Sequence, residues 1–393
     1  MFHPGIRNTG NQCFINSALQ CLSVSPVIIE FISKYINKDN QLLEVISKYN
    51  LGKFKANSIK TECSRILLEQ SEAINTDEKI ILEKLIKHSF DIYIYISFRE
   101  IIRQLNNTYD EHKVINNGSF LSIIEDLSKN TGFEHLFNGE QNDPHEFMAY
   151  LLDKLHNAKS TSVTIDLPQN INNLDIYSQL HLKDFKSRYE NDYSYFVKNF
   201  YYYILNCVQC SKCKHKSHSV CPNDIMCLSI PNKELSDDTN ISNNITLYNC
   251  LDEMFKIDNI NYKCEKCENI ENNLIEKKIL SEPKTLIIKL KRYSTNYIRN
   301  RIEKITKMIE YPNILNINNY YCGNDLLKYK LYAIINHTGT MNGGHYYSYI
   351  KTLKDDNTTF NDQWICCNDS QVSNISEEEA MNSQNAYILF YTI

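Results

Sequence analysis

The spacing of apolar residues divides the chain into a helical first part and a strand-rich second part. Apolar side chains recur at helical spacing in residues 14–22, 26–104 and 144–155. From Tyr201 onward the pattern changes to strands, and residues 283–293 alternate like a half-buried strand. Residues 158–199 are polar and predict a variable connection. The pattern therefore predicts an α+β fold.

Composition limits the classes of protein to which the chain can belong. Of its 393 residues, 42% are hydrophobic, which suffices for a sizeable core and one to three domains. The net charge of −5 argues against nucleic-acid binding. The first residues lack the features of a signal peptide, and no apolar run reaches the length of a membrane span. We therefore expect an intracellular protein, cytoplasmic or nuclear, whose 14 cysteines serve as thiols, metal ligands and a nucleophile.

A cysteine stands at the predicted start of the first helix. The turn-prone run from Asn8 to Asn11 precedes it, so Cys13 falls at or just before the helix N-terminus. Unpaired N–H groups and the helix dipole lower a thiol pKa there, which favours a nucleophilic thiolate. The side-chain amide of Asn8 could stabilise an oxyanion beside it. The alternative is a small buried cysteine without a chemical role.

A second helix start carries acidic residues. Asp143 can cap this helix with Pro144 at its first position, and the apolar residues that follow trace one face. Taken alone, this pattern predicts a well-capped core helix. His145, within the same stretch, is interpreted as an ordinary surface histidine.

Two Cys-x-x-Cys pairs predict a metal site. Cys210 with Cys213, and Cys264 with Cys267, can present four sulfurs to one tetrahedral zinc ion. Cys207 forms a competing Cys-x-x-Cys pair with Cys210. The alternative for all of them is free thiols without metal.

Two histidines compete as the proton acceptor for Cys13. A cysteine nucleophile needs an imidazole within hydrogen-bond reach, and both His337 and His345 lie beside a glycine-rich loop between predicted strands. The paired Gly343 and Gly344 leave room there for a thin peptide. These residues alone leave the choice open.

The strand that begins near Trp364 offers two candidates to orient the histidine. Asn368 and Asp369 point to opposite faces of a regular strand, so only one of them can face the imidazole squarely. A side-chain oxygen in that position would fix the tautomer of the ring. The same residues also form a good turn, which is the alternative.

These segments resemble the sequence boxes of the ubiquitin-specific proteases, a family of papain-like deubiquitinating enzymes. Residues 5–20 match the cysteine box, with Gln12 where the family usually has Thr and Phe14 where it usually has Tyr. Residues 141–147 are similar to the second box, with Asn142 and Pro144 as departures.

Three further segments carry the same resemblance. Residues 283–293 are similar to the family strand that ends in Leu-Lys-Arg-Phe, with Tyr293 in the last position. Residues 329–339 and 343–350 resemble the histidine box, whose Gly-His-Tyr setting selects His345 over His337. Residues 385–391 resemble the last strand of the family.

The resemblance implies a papain-like cysteine protease fold of the ubiquitin-specific protease type. One catalytic domain would fill residues 1–393. It would comprise a mainly helical thumb in about residues 1–157, zinc-tipped β fingers in about 200–280 and a β-rich palm in about 281–393.

The resemblance also implies roles for individual residues. The catalytic set would be Cys13 as nucleophile, His345 as proton shuttle, Asn8 as oxyanion donor, and Asn368 as orienting residue with Asp369 as its competitor. The set that binds the tail of ubiquitin would be Asp143, Glu146, Gly343, Gly344 and Tyr346, with the two acidic residues pairing with arginines of the tail. One structural zinc ion would be held by Cys210, Cys213, Cys264 and Cys267.

The function implied is thiol hydrolysis of isopeptide or peptide bonds after the C-terminal glycine of ubiquitin. The expected partners are ubiquitin or ubiquitinated proteins, with no nucleic acid, no membrane and a monomeric chain. Three alternatives remain open: a protease for a ubiquitin-like modifier, a catalytically weak ubiquitin-binding module, and a zinc-dependent interaction scaffold.

Overall fold

The helices lie mainly in the first half of the chain, as the apolar spacing predicts. This computed structural model describes residues 3–53, 56–70, 72–107, 113–129, 131–231, 244–296, 301–323, 326–340, 343–354, 356 and 359–393. The helices in these ranges are α1 (Cys13–Ser23), α2 (Pro26–Lys48), α3 (Ala56–Glu69), α4 (Thr76–Asn106), α5 (Gly118–Ser128), α6 (Pro144–Lys159), α7 (Ile176–Tyr189), α8 (Tyr195–Phe200), α9 (Leu247–Phe255) and α10 (Glu377–Met381).

The strands lie mainly after residue 201. They are β1 (Gly5–Ile6), β2 (Val114–Ile115), β3 (Tyr202–Gln209), β4 (Lys216–Asn223), β5 (Ile225–Ser229), β6 (Ile245–Thr246), β7 (Asp258–Ile260), β8 (Asn273–Ser281), β9 (Thr285–Lys291), β10 (Tyr293–Asn296), β11 (Arg301–Lys304), β12 (Ile309–Glu310), β13 (Ile314–Asn316), β14 (Lys328–Thr340), β15 (Gly343–Leu353), β16 (Phe360–Asn368), β17 (Gln371–Ile375) and β18 (Ala386–Thr392). Strands and helices together confirm the predicted α+β class.

One large sheet organises the second half of the chain. Its strands follow the order β17-β16-β15-β14-β18-β9-β5, and β13 pairs with β14. Neighbouring strands are antiparallel except β9 and β5, which run parallel. Because side chains alternate along a strand, successive residues of β14 enter different cores. Ile335 packs into the core shared with the helices, and Ile334 packs into a core on the opposite face.

Helix α1 is the helix most completely enclosed by this packing. All of its residues are buried, and it contacts β15 of the large sheet as well as α6. Its first residue is therefore held against the strand that carries the predicted histidine. Among the described residues, no single helix is both long and apolar enough to span a membrane. Helices α1 and α2 satisfy that test only as a pair bent by 74°.

A second sheet lies in the segment predicted to form the fingers. It has the order β4-β3-β8-β7, and all its pairings are antiparallel. Strand β5 falls in the same sequence segment but pairs with β9 of the large sheet. The chain therefore returns to the large sheet between β4 and β7.

The polar connection over residues 158–199 contains two helices that its composition did not indicate. Helices α7 and α8 lie there, and each has a side-chain cap that the composition alone did not reveal. Asp175 accepts hydrogen bonds from the N–H groups of Tyr177 and Ser178, and Ser194 accepts one from Phe196. Such caps supply partners for N–H groups that would otherwise be unpaired at a helix start.

Candidate active site

The loop before α1 is held in place by the side chain of Asn8. Its Oδ1 atom accepts hydrogen bonds from the backbone N–H groups of Gly10 at 3.0 Å and Gln12 at 3.2 Å. Asn11 has a φ of 51° and donates its amide to the carbonyl of Gly139 at 3.0 Å. The helix then begins at Cys13, which confirms the predicted position of this cysteine at a helix N-terminus.

Cys13 is enclosed, and the pKa of its thiol is raised, whereas the sequence predicted a lowered pKa. Its side chain is only 2% exposed, and burial raises the pKa of the thiol. A hydrogen bond from the backbone of Tyr346 lowers it, while the nearby Asp369 carboxylate raises it further. The sequence-based prediction of a lowered pKa is wrong, because desolvation of the thiolate outweighs the N–H donors at the helix start.

His345 lies near the start of β15, and its ring contacts the turn after β16. Its Nε2 atom is 2.6 Å from Oδ1 of Asn368 and 4.0 Å from Oδ2 of Asp369. The structure thus brings both candidate orienting residues to this histidine, with Asn368 in direct hydrogen-bond contact. The hydrogen bond occupies Nε2 and leaves Nδ1 as the ring atom available to another group.

His337, the competing histidine, is buried and its ring is held by neighbouring aromatic residues. It is 3% exposed, its Nδ1 lies 3.1 Å from the hydroxyl of Tyr293, and its ring stacks on Tyr346 with centroids 4.4 Å apart. Burial, with Lys304 close by, lowers the pKa of His337 to about 4. The ring is therefore neutral at physiological pH and acts as part of the wall beside His345.

Asp369 connects the turn after β16 to the loop and helix of the cysteine. The residue has a φ of 51°, and its Oδ2 accepts a hydrogen bond from the Asn8 amide at 2.9 Å. Its Oδ1 accepts one from the amide of Asn16 at 2.8 Å, and Oδ1 of Asn16 accepts one from Asn117 at 2.8 Å. Asn16 and Asn117 are each only 1% exposed, so this is a buried polar network in which both NH2 groups have acceptors, whereas Oδ1 of Asn117 has no donor among the described residues.

Sequence reasoning did not assign roles to Asn16 and Asn117. Asn16 lies three residues after Cys13, which places both on one helical face and was the available signal. No comparable signal marks Asn117, because its position depends on tertiary packing.

The predicted substrate-binding residues line a cleft of about 380 Å³ beside the histidine. Asp143, Glu146, Gly344 and Tyr346 all border it. Gly343 is not part of the lining, but among the described residues an added Cβ there would come within 4.0 Å only of Gln141, which borders the cleft. The structure therefore brings these residues together along one surface.

The two acidic residues of the cleft differ in their partners. Asp143 caps α6, as predicted, and its second oxygen contacts Lys289 at 2.5 Å and the hydroxyl of Tyr387 at 2.7 Å. Glu146 is about half exposed and lies 3.2 Å from Nε2 of His135. A positive charge already compensates Asp143, whereas Glu146 faces solvent.

Gln141 is a cleft residue to which sequence reasoning gave no role. Its side-chain amide donates to the carbonyl of Gly344 at 2.7 Å and accepts from the N–H of Gly344 at 2.8 Å. This double hydrogen bond fixes the backbone just before His345. A side chain at Gly344 would collide with His337, since an added Cβ would lie 2.3 Å from its Nε2.

The interpretation of His145 as an ordinary surface histidine is wrong. Its side chain is half-buried, and Nε2 lies 3.5 Å from the sulfur of Cys227. Burial lowers the pKa of His145, and the ammonium of Lys289 adds to that shift. The contact with Cys227 of β5 accounts for this partial burial, and the sequence pattern gave no sign of it.

Away from this cleft, four cysteines meet where the two predicted knuckles approach each other. Cys210, Cys213, Cys264 and Cys267 have all their sulfur atoms within 4.8 Å of one another. Cys207 lies outside this group, on β3. The structure therefore places in one cluster the four cysteines that sequence reasoning preferred, and such a cluster could hold a metal ion.

The two knuckles have the same backbone geometry. Lys214 donates to the carbonyl of Cys210, and Glu268 donates to that of Cys264, at 3.1 and 2.9 Å. Both residues have a φ near 60°. Each turn therefore presents two sulfurs on the same side, as a shared tetrahedral site requires.

Comparison with solved structures places the fold in a defined class. The chain matches one chain in the structure of the SAGA DUB module of Ubp8, Sgf11, Sus1 and Sgf73 bound to monoubiquitin. The TM-score is 0.64 at 22% sequence identity, and the match covers 99% of this chain and 69% of the matched chain. The same module bound to ubiquitin aldehyde gives a TM-score of 0.62 at equal identity and coverage. The fold is that of a ubiquitin-specific protease. The neighbours are complexes with other subunits and give no support to the expectation of a monomer.

The chain belongs to the ubiquitin carboxyl-terminal hydrolase family, whose model matches residues 4–391. It is 25% identical to the probable ubiquitin carboxyl-terminal hydrolase R319 of Acanthamoeba polyphaga mimivirus, over 98% of this chain and 89% of the relative. It is 26% identical to ubiquitin carboxyl-terminal hydrolase 8 of Saccharomyces cerevisiae, over 99% of this chain and 70% of the relative. These findings confirm the family that the sequence boxes indicated.

The buried thiol predicts a particular pH dependence for the alkylation of Cys13. Because burial raises its pKa, the thiolate is scarce at neutral pH and increases about tenfold for each pH unit below that pKa. The rate of modification by iodoacetamide, followed by peptide mass mapping, should therefore rise continuously between about pH 6 and pH 9. N-acetylcysteine provides the reference profile. A rate that is already constant from about pH 5 to pH 7 would show a preformed thiolate and contradict this account.

Proposed function

We propose that this chain is a deubiquitinating thiol hydrolase that cleaves isopeptide or peptide bonds after the C-terminal glycine of ubiquitin. The observation that carries the proposal is the 2.6 Å contact between Nε2 of His345 and Oδ1 of Asn368. The next residue of the same strand, Tyr346, is hydrogen-bonded through its backbone to Cys13. A thiol, an imidazole and an amide that orients the imidazole are the groups that acyl transfer by cysteine requires.

In the first half of the reaction, the sulfur of Cys13 attacks the glycine carbonyl. Since burial keeps the thiol protonated in the free enzyme, His345 acts as a general base and takes the thiol proton on Nδ1 as the S–C bond forms. The carbonyl oxygen becomes negative and accepts a hydrogen bond from the amide of Asn8. This amide has two N–H groups, and its contact with Asp369 uses one of them.

In the second half, the intermediate collapses and the C–N bond breaks. His345 gives its proton to the departing amine, which leaves a thioester between Cys13 and ubiquitin. Water then attacks the thioester while His345 takes a proton from it, and the thiol is released with that proton. Asn368 holds the ring in one tautomer through both halves.

The cleft beside His345 would hold the tail of ubiquitin. Gly344 and Tyr346 form part of its lining, and Gly343 precedes them on the same strand. Glu146 is placed to pair with a basic residue of the tail because it is exposed. Asp143 can do the same only by giving up part of its contact with Lys289.

We propose that the cluster formed by Cys210, Cys213, Cys264 and Cys267 holds one structural zinc ion. Four thiolates on two matching turns suit the tetrahedral geometry of zinc. Bound there, the ion would supply folding stability to the four-stranded sheet. None of the four cysteines lines the cleft, which supports a structural role for the ion.

The test of the proposed function is covalent labelling by ubiquitin that carries a C-terminal vinyl electrophile. Cys13 should be labelled, and Cys13→Ala should abolish the labelling because the nucleophile is lost. Cys221→Ala is the matched control, since Cys221 is an exposed cysteine outside the cleft. Labelling should be read from the intact mass and the modified peptide.

Other outcomes of that experiment would assign a different function. Labelling that persists in Cys13→Ala would contradict the assignment of the nucleophile. Exclusive reaction with an electrophile built on a ubiquitin-like modifier would identify a protease for that modifier. Binding of ubiquitin without any labelling would favour the ubiquitin-binding module.

Substitution of Asn368 and of Asp369 by alanine should have different effects on turnover and on melting temperature. Asn368→Ala should lower turnover of a ubiquitin C-terminal fluorogenic amide by roughly 10²-fold, because the imidazole loses its orientation. Its melting temperature should hardly change, since the side chain is exposed. Asp369→Ala should lower turnover and melting temperature together, because Asn8 and Asn16 lose their acceptor.

Ser370→Ala is the control for this pair, because Ser370 is an exposed residue of the same turn. A larger loss of turnover in Asp369→Ala, with unchanged stability, would move the orienting role to that residue.

The zinc proposal predicts a coupled loss of metal and stability. Cys264→Ser should lower zinc content, measured by mass spectrometry of the purified protein, and should lower the melting temperature. A structural zinc site contributes on the order of 10 kcal/mol in small zinc modules. Cys207→Ser is the matched control and should keep about one zinc ion per chain. Loss of zinc in Cys207→Ser but not in Cys213→Ser would refute the assigned ligand set.

A further inference from the structure

A second and larger cavity lies in the helical part of the chain. Its volume is about 710 Å³, and it is bordered by residues of α2, α4, α6 and α8. This volume falls within the range of small-molecule sites. None of the residues assigned above to the active site or the cysteine cluster lines it.

The lining of this cavity is strongly basic, although the whole chain is acidic. Six lysines and two carboxylates border it, against 42 basic and 47 acidic residues in the full sequence. We call it the lysine cavity, after Lys34, Lys38, Lys84, Lys159, Lys198 and Lys284. Positive charge is therefore concentrated at this cavity, although the net charge of the whole chain is negative.

Two of the six lysines have a carboxylate partner. Lys159 pairs with Asp39, which is fully buried and also contacts Tyr95 and Arg99. Lys284 lies 3.6 Å from Glu30, one of the two carboxylates of the lining.

The other four lysines, Lys34, Lys38, Lys84 and Lys198, have no recorded ion pair within the described part of the chain. Burial lowers the pKa of Lys84 to about 8, and the charges of Lys159 and Lys38 act in the same direction. The ammonium groups around this cavity therefore repel one another without enough negative charge between them.

The walls between the lysines are suited to an uncharged ring skeleton. Tyr35, Tyr193 and Tyr195 contribute aromatic surface, and Leu42 and Ile92 contribute aliphatic surface. Asn199 also lines the cavity. Its side chain is 2% exposed, and its Oδ1 has no hydrogen-bond donor among the described residues. That oxygen is closed off from the cavity, whereas the polar side chains of Gln41 and Thr161 border the cavity and could bind ligand hydroxyls.

We propose that the lysine cavity binds a small molecule that carries several phosphate groups on a hydroxylated ring. Each phosphate monoester brings nearly two negative charges, so two or three of them match four uncompensated lysines within this volume. An acidic peptide would need four separate carboxylates in the same space. Lysine suits phosphate as a point charge, and no arginine lines the cavity.

Two sources share this chemistry, an inositol polyphosphate and a nucleoside triphosphate. The test is calorimetric titration of the full chain with inositol hexakisphosphate, with ATP and with tripolyphosphate, in roughly 0.1 M salt. The rim variant is Lys34→Glu with Lys38→Glu, because both side chains are exposed and their change leaves the core intact. The control is Lys79→Glu with Lys183→Glu, which makes the same change of charge at exposed lysines outside the cavity.

The proposal predicts that at least one of the two ring-bearing probes binds the wild-type chain and the control more tightly than tripolyphosphate does. The dissociation constant should rise by about tenfold or more in the rim variant, whose melting temperature should match that of the control. The tighter ring-bearing probe then identifies the source. A glutamate hexapeptide is titrated in the same way. Absence of phosphate-probe binding at about 1 mM, equal weakening in the rim and control variants, or binding of the hexapeptide in place of all three phosphate probes would overturn the proposal.

Discussion

The hydrogen bonds to the carboxylate of Asp369 are the interaction on which the arrangement of the site depends. This side chain, on the turn after β16 of the large sheet, accepts from Asn8 in the loop before α1 and from Asn16 within α1. One carboxylate thus joins the last part of the chain to the first. Its backbone carbonyl also accepts from Ile6, at 2.8 Å. Because a buried amide without an acceptor costs about 1–3 kcal/mol, the helix that carries the cysteine and the turn beside the histidine are held in one relative position.

That connection has an electrostatic consequence for the cysteine. The same carboxylate that positions Asn8 opposes ionisation of Cys13, and burial of the sulfur acts in the same direction. The enclosed thiol is therefore protonated in the free chain, and its proton must be removed during attack by a histidine that Asn368, at the end of β16, orients. Positioning and reactivity are consequently set by separate residues of one short segment, with Asn368 acting on the imidazole and Asp369 on the amide of Asn8.

Sequence patterns predicted what depends on local spacing. They located the helix start at Cys13, the cap at Asp143 and the grouping of the two Cys-x-x-Cys turns, because each follows from propensity or from a short motif. The last strand was expected from the resemblance to the family. They did not predict contacts between distant segments, such as Asn16 with Asp369 or Lys289 with Asp143, since nothing local specifies which element packs opposite. The direction of the Cys13 pKa shift was wrong for the same reason, because burial is a tertiary property. Helix α7 was missed because polar composition concealed its cap.

The most direct test of the role of Asp369 is a double-mutant cycle between Asn8 and Asp369. Turnover of a ubiquitin C-terminal fluorogenic substrate would be measured for Asn8→Ala, Asp369→Ala and the double variant, all at saturating substrate. If Asp369 acts on turnover by holding Asn8, the double variant should lose little more than the larger single loss, so that the two losses fall short of additivity by about 1 kcal/mol or more. Losses that add to within about 0.3 kcal/mol would show that the two residues act independently and would contradict the account.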